Sequence, residues 1–218
     1  MIVTEIDDTD LLTKLDNLQF LPVLAPAMPR TLGVVHLSDI YKIVMKRMFP
    51  ARFGGPMNAR LIRVGLIFET MLERGLIETY ATVRPGELIS DEGIYMTPDG
   101  VNPMLCAGEE YKATYMSCGK GISERVWVGE LCYDIPLDKF LHWFIQMMGY
   151  ARWLFVNIFI LRVLFIDGDW KFIKLPDGSS VPNRPIFKSY RIEFTDKEIE
   201  GNWEMLMNVA REEGLLPC

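Results

Sequence analysis

The stretch Gly93–Met116 reads GIYMTPDGVNPMLCAGEEYKATYM, and it restricts the fold more than any other part of the chain. Its second half has the texture of a strand, yet Glu110 and Lys112 stand two residues apart within it. Side chains alternate along a strand, so an acid and a base at this spacing emerge on the same face of a sheet, while Glu109 and Tyr111 point the other way. A charged pair on one face of a strand that also carries Tyr111 and Ala113 is costly to bury unless it has a purpose. Upstream, Pro98-Asp99-Gly100 reads as a turn after a preceding strand, and it sets another acid 11 residues before Glu110.

The segments around this stretch follow readable periodicities. A short helix is expected around Asp10–Leu18, followed by the extended, Pro-rich LPVLAPAMPR. Ser38 is a plausible N-cap for a helix through about Met48, and Pro50 with Gly54-Gly55-Pro56 marks a loop. Asn58–Tyr80 carries apolar residues at helical spacing. Strands are predicted near Thr82–Ile89, Gly93–Thr97, Glu109–Met116 and Ser123–Glu130. Pro136 opens a helix to about Phe155, and Asn157–Ile166 reads as a buried strand ending in the turn Asp167-Gly168-Asp169. Pro185–Phe194 is a further strand, and Thr195 caps a final helix to about Glu213. This order predicts an α/β (α+β) fold, a mixed central β-sheet flanked by helices. Residues 1–57 are expected to form an N-terminal helical arm, and residues 58–218 the core.

Half of the 218 residues are hydrophobic, enough for a full-sized core without staples. The longest apolar run, Trp153–Leu161, is broken by Asn157 and stopped by Arg162, well short of the roughly 20 residues that a membrane span needs. The acidic opening MIVTEIDDTD has no apolar core of a secretory signal, so a cytoplasmic location is expected, the host cytoplasm for a viral protein. Cys106, Cys118, Cys132 and Cys218 fit no zinc spacing and read as reduced thiols. Net charge is −6, but Arg30–Val64 holds seven basic residues against Asp39 alone, or +6, which leaves about −12 elsewhere. Such asymmetry permits a phosphate-binding face on an acidic protein, and equally an ordinary solvated helix face. His36 and His142 form no metal pair, and no GxSxG, Walker or dinucleotide fingerprint occurs. Gly119-Lys120-Gly121 lacks the rest of a P-loop and reads as a turn.

Pro98-Asp99 followed by Glu110-Tyr111-Lys112 resembles the signature of the PD-(D/E)XK nuclease superfamily. Gly65–Glu73, GLIFETMLE, resembles the helix before the sheet in the RecB-like branch, where a His or Glu supplies a metal ligand. That position falls here to Glu69, which could otherwise be a solvated helix residue. Gln146–Tyr150, QMMGY, matches the family's Q-x-x-x-Y motif, with both polar groups on one helix face. VVHLSDIYKIVMKRMFPARF resembles the opening Ser-containing helix of RecB-like enzymes and their viral relatives, so the resemblance spans roughly Val34–Asp169.

The resemblance implies a restriction-endonuclease-like core and a metal-dependent DNA exonuclease leaving 5′-phosphate products, in DNA recombination, repair or viral and phage DNA processing. Mg²⁺ or Mn²⁺ would be held by Glu69, Asp99, Glu110 and the carbonyl of Tyr111. The catalytic residues would be Asp99, Glu110, Lys112, Gln146 and Tyr150. Ser38, Lys42, Lys46, Arg47, Arg60 and Arg63 would hold the DNA backbone. The implied partners are DNA and a recombination or single-strand-annealing protein. A structure-specific endonuclease, and a catalytically silent nuclease-fold module that binds nucleic acid or protein, are the alternatives. The CRISPR-associated branch carries an iron–sulfur cluster on one N-terminal and three C-terminal cysteines. The helix at Ser38–Met48 has no Cys, so no iron–sulfur cluster is expected here.

Overall fold

The computed structural model describes residues 1–8, 10–11, 31–50, 59–118, 126–128, 131–133, 137–169, 171–182 and 185–217. The Pro-rich lead-in, the loop around Gly54, the turn at Gly119 and most of the helix expected at Asp10–Leu18 lie outside the described residues. The elements run β1 (Ile2–Ile6), α1 (Leu37–Met48), α2 (Ala59–Tyr80), β2 (Leu88–Ile89), β3 (Tyr95–Met96), β4 (Gly100–Asn102), β5 (Ala107–Thr114), β6 (Val126–Val128) and β7 (Leu131–Tyr133). They continue with α3 (Leu137–Leu154), β8 (Ile158–Phe165), β9 (Phe172–Lys174), β10 (Ser180–Pro182), β11 (Ile186–Glu193) and α4 (Asp196–Glu212).

A five-stranded sheet in the order β1-β11-β8-β5-β4 forms the centre. β5 and β8 pair in parallel and their neighbours antiparallel, so the sheet is mixed. Parallel neighbours need a crossover, and α3 lies in the chain between them. The expected α/β architecture, a mixed central sheet flanked by helices, is therefore present.

Alternation along the strands divides the core into two layers. On one face Phe159, Leu161, Val163 and Phe165 of β8 join Tyr190 and Ile192 of β11. Over them lie Leu37, Ile40, Val44 and Met45 of α1, Phe140, Phe144, Met147 and Ala151 of α3, and Trp203, Leu206 and Ala210 of α4. Each large side chain buried here contributes about 1.5–3 kcal/mol. On the other face Phe68, Leu72 and Leu76 of α2 pack with Leu11 and Tyr111.

That second layer also buries a polar network. Arg162, in the middle of β8, is fully buried. Its Nε donates to Glu109 Oε2 at 2.9 Å and its Nη2 to Glu109 Oε1 at 3.3 Å, a two-pronged pair across β8 and β5. Nη1 donates to Ser189 Oγ of β11 at 3.1 Å and to Asp8. Asn102 Nδ2 of β4 donates to Glu109 Oε1 at 3.0 Å, Tyr80 OH donates to Asp8 Oδ1 at 2.8 Å, and the guanidinium sits 5.4 Å from the Tyr80 ring centre.

The structure corrects several expectations. The described residues among 1–57 are not a separate helical arm: β1 pairs with β11 at the sheet edge, and α1 sits in the main core. The cause is the apolar stripe Leu37, Ile40, Val44 and Met45, which has to be buried against α3 and α4. Helix α1 begins one residue before Ser38, with His36 at the N-cap and Asp39 Oδ2 accepting the His36 N–H at 3.4 Å. The strand expected over Thr82–Ile89 contracts to β2 and a single bridge between Val83 and Val101, because Pro85 has no N–H to offer a ladder. The strand expected at Gly93–Thr97 is the two-residue β3. Thr195 caps α4 as expected: its Oγ1 accepts the Glu198 N–H at 3.3 Å, and Glu198 Oε2 accepts the Thr195 N–H at 2.8 Å. Among the described residues no helix is long and apolar enough to cross a membrane.

Gly108 is required by packing at the β5–β8 pairing. A Cβ built there would lie 2.4 Å from Cζ of Phe159 in the register-paired position of β8. Gly108→Ala should therefore lower stability by about 1–3 kcal/mol. Phe159→Leu in the same chain should recover part of that loss, with both changes read from urea unfolding.

Candidate functional site

The strand β5 builds the site by alternation. Glu109 and Tyr111 face α2 and the Arg162 network, whereas Glu110 and Lys112 face α1 and α3. Glu110 is completely buried, and Lys112 retains about a fifth of its side-chain exposure. Lys112 Nζ donates to Glu110 Oε1 and, at 3.3 Å, to Gln146 Oε1 on α3. Gln146 Nε2 in turn donates to the Tyr150 hydroxyl at 2.8 Å. The QMMGY segment thus places its Gln one turn from its Tyr and lays both against the sheet. Gly149 within it lies against α1, where an added Cβ would meet Leu37 Cδ2 at 2.6 Å.

Asp99 arrives from the turn before β4. Its Oδ2 accepts the backbone N–H of Tyr111 at 2.8 Å, which ties the turn to β5 between Glu110 and Lys112. Gly100 makes the approach possible, since a Cβ there would fall 2.7 Å from the Tyr111 hydroxyl. Asp99, Glu110, Lys112, Gln146 and Tyr150 are therefore brought together, across sequence separations of up to 51 residues (150 − 99).

The electrostatics follow from burial and crowding. Burial first, and then the charge of Asp99, push Glu110 up to about 8, against the pull of Lys112. Asp99 is raised as well, by loss of solvent, with Lys112, the Tyr111 N–H and Arg84 opposing the rise. Burial would lower Lys112, but Glu110 and Asp99 outweigh it and hold the ammonium above its ordinary value. Lys112 is thus a fixed cation rather than a proton acceptor near neutral pH. Burial and the nearby Glu110 raise the Tyr150 phenol well above its usual range.

Glu69 on α2 lies within electrostatic reach of Glu110 but is engaged elsewhere: Arg84 Nη2 meets its Oε1 at 2.6 Å. Among the described residues no three His, Cys, Asp or Glu side chains gather closely enough to hold a metal ion together. The donor set at β5 is two carboxylates. It suits a hard cation such as Mg²⁺, which usually binds through one or two carboxylates plus water. Glu110 Oε2 adds a specific fit, because it is buried and meets no hydrogen-bond donor among the described residues.

The basic residues expected to hold DNA divide. Ser38, Lys42 and Lys46 lie on α1, and Lys42 and Lys46 are exposed. Arg47 pairs with Glu212, Nη1 to Oε2 at 2.6 Å, and with Glu213, so it joins α1 to the end of α4. Arg60 and Arg63 belong to the first turns of α2. Cys106 is exposed and Cys118 buried, both as free thiols.

Two neighbours of the site were not anticipated from the sequence. Tyr41 on α1 is raised by its burial and feels the charges of Lys112, Glu110, Asp39 and Asp99. It lies one residue from Ile40 on the apolar stripe of α1, and that periodicity could have placed it facing the sheet. Arg84 sits in VRPG, a segment with no motif to mark it.

No family model matches the chain, and no curated protein matches it. A solved structure described as "Crystal structure of SSO0001" superposes with a TM-score of 0.46 and 13% identity, covering 91% of this chain and 84% of that one.

The raised Glu110 has a signed consequence for stability. Burial and the charge of Asp99 raise folded Glu110 to about 8 from the ordinary 4.5, so between these limits the folded state takes up more proton than the unfolded chain. Stability should fall as pH rises through that window, in metal-free protein. Urea unfolding from pH 5 to 8.5 should show this slope in the wild type and a flatter one in Glu110→Gln.

Proposed function

We propose that this chain is a metal-dependent deoxyribonuclease with a restriction-endonuclease-like core of the RecB type, cutting from DNA ends to leave 5′-phosphates. The observation that carries the reading is the pair Asp99 and Glu110 held together at β5 beside Lys112, with Glu110 Oε2 buried and meeting no donor among the described residues. A solvent-facing ion pair needs no such burial, and a carboxyl group raised by burial and a second acid marks a functional-site candidate.

Asp99 and Glu110, with the Tyr111 carbonyl, are the residues that would hold Mg²⁺ or Mn²⁺. Such an ion supplies a Lewis acid toward a phosphate oxygen and acidifies a water at neutral pH. Lys112, kept charged by its carboxylate neighbours, orients the attacking water or balances negative charge developing on phosphorus. Gln146 holds the Lys112 ammonium through its amide oxygen, and the Tyr150 hydroxyl fixes the Gln146 amide orientation. The helix α1, with Ser38, Lys42 and Lys46, and the start of α2, with Arg60 and Arg63, are the surfaces proposed to hold the DNA backbone. Arg47 contributes less there while its guanidinium is paired with Glu212 and Glu213. Action at DNA ends, a role in recombination, repair or phage DNA processing, and a recombination or annealing protein as partner are inferred from the likeness of motifs.

The test is digestion of linear and covalently closed circular duplex DNA with Mg²⁺ or Mn²⁺, with EDTA as control. Loss of the linear form alone is expected. Nicked circles would indicate an endonuclease, and tight binding without cleavage the silent module. Lys112→Ala should reduce turnover by about 100-fold or more while Mn²⁺ binding persists. Wild-type, metal-dependent cleavage by Glu110→Ala would refute the assignment.

A further inference from the structure

The Arg84–Glu69 pair stands beside the metal-centre carboxylates and has no part in the scheme above. Two backbone hydrogen bonds, Val83 N–H to Val101 O at 2.9 Å and Val101 N–H to Val83 O at 2.8 Å, fasten the segment after α2 to β4. Arg84 follows Val83 directly, and Val101 is two residues from Asp99, so this bridge sets Arg84 beside the Asp99 turn. From there its Nη2 reaches Glu69 Oε1 at 2.6 Å, with both side chains only about a quarter exposed. The charge of Arg84 is felt by Asp99, and that of Glu69 by Glu110. The guanidinium therefore joins Glu69 on α2 to the turn that carries Asp99.

We propose that Arg84 is a positioning residue that stands in for the divalent cation: it holds Glu69 in the metal-free protein and yields that carboxylate when the metal binds. The proposal rests on the metal-centre reading, and it explains why Glu69 is not gathered with Asp99 and Glu110 in a three-carboxylate group. A guanidinium and a divalent ion are alternative partners for one carboxylate, so each weakens the other's hold on it. Binding is then an exchange at Glu69, and the protein never leaves three acids facing one another without a cation.

Calorimetric titration of the full-length protein with MnCl₂ tests this. The set is wild type, Arg84→Gln, Glu69→Gln and the double variant, with circular dichroism melting to verify folding. Arg84→Gln should bind Mn²⁺ about two- to fivefold more tightly, the size of a partly exposed ion pair. In the Glu69→Gln background the same substitution should change nothing, because the contested ligand is gone. An equal gain with and without Glu69 would mean that Arg84 acts only through distant charge, and it would overturn the proposal. An unchanged or weaker affinity of Arg84→Gln would also overturn it. If Arg84→Gln fails to fold, Arg84→Lys serves: it keeps the charge but loses the planar fork. A smaller gain that depends on Glu69 is then expected, and a gain independent of Glu69 would refute the exchange. Mn²⁺ binding that is absent in the wild type, or unaffected by Glu110→Gln, would instead sink the metal centre itself.

Discussion

A fully buried arginine sets the frame for everything else. Arg162 is held by Glu109 from β5, by Ser189 from β11 and by Asp8, so three neighbouring strands share one guanidinium. Removing one partner of such a buried pair costs about 3–5 kcal/mol, so the pairing is a strong constraint on register. A slip of β5 by one residue would exchange Glu109 and Glu110 between faces. The arginine's partner would then face α3, and the site's acid would face α2. The network on one side of the sheet thus decides which glutamate is available on the other.

With the register set, two adjacent glutamates acquire opposite characters. Glu109 has a two-pronged cation and an asparagine amide, which satisfy both of its oxygens. Among the described residues Glu110 has the Lys112 ammonium as partner, an acidic neighbour in Asp99 and an oxygen with no donor. The Tyr111 N–H, between Glu110 and Lys112 in the chain, anchors Asp99. The site is therefore a polar assembly left short of positive charge inside a well-packed fold, which is the condition under which a bound cation adds most.

The features legible in the sequence were those set by local periodicity. The same-face placement of Glu110 and Lys112 follows from the strand repeat, and that of Gln146 and Tyr150 from the helical one. Thr195 was legible as a cap because the residue three positions on is Glu198. What escaped was held by contacts distant in the chain. Arg162 read only as the end of an apolar run, since its partners Glu109 and Asp8 lie 53 and 154 residues away. Arg84 has no motif, and its pairing with Glu69 depends on a single bridge to β4. The first 57 residues looked like an appendage because β1 is short and finds its partner, β11, at the far end of the chain. Burial of α1 likewise depends on helices formed much later.

The central claim is that Asp99 and Glu110 form a cation site at β5. The most direct measurement is anomalous diffraction from crystals of the protein soaked in MnCl₂. The account predicts an anomalous peak in coordination contact with carboxylate oxygens of both Asp99 and Glu110, with Glu110 Oε2 as a ligand. A Mn²⁺ found only elsewhere on the protein, with Glu110 still bound to Lys112 alone, would contradict it.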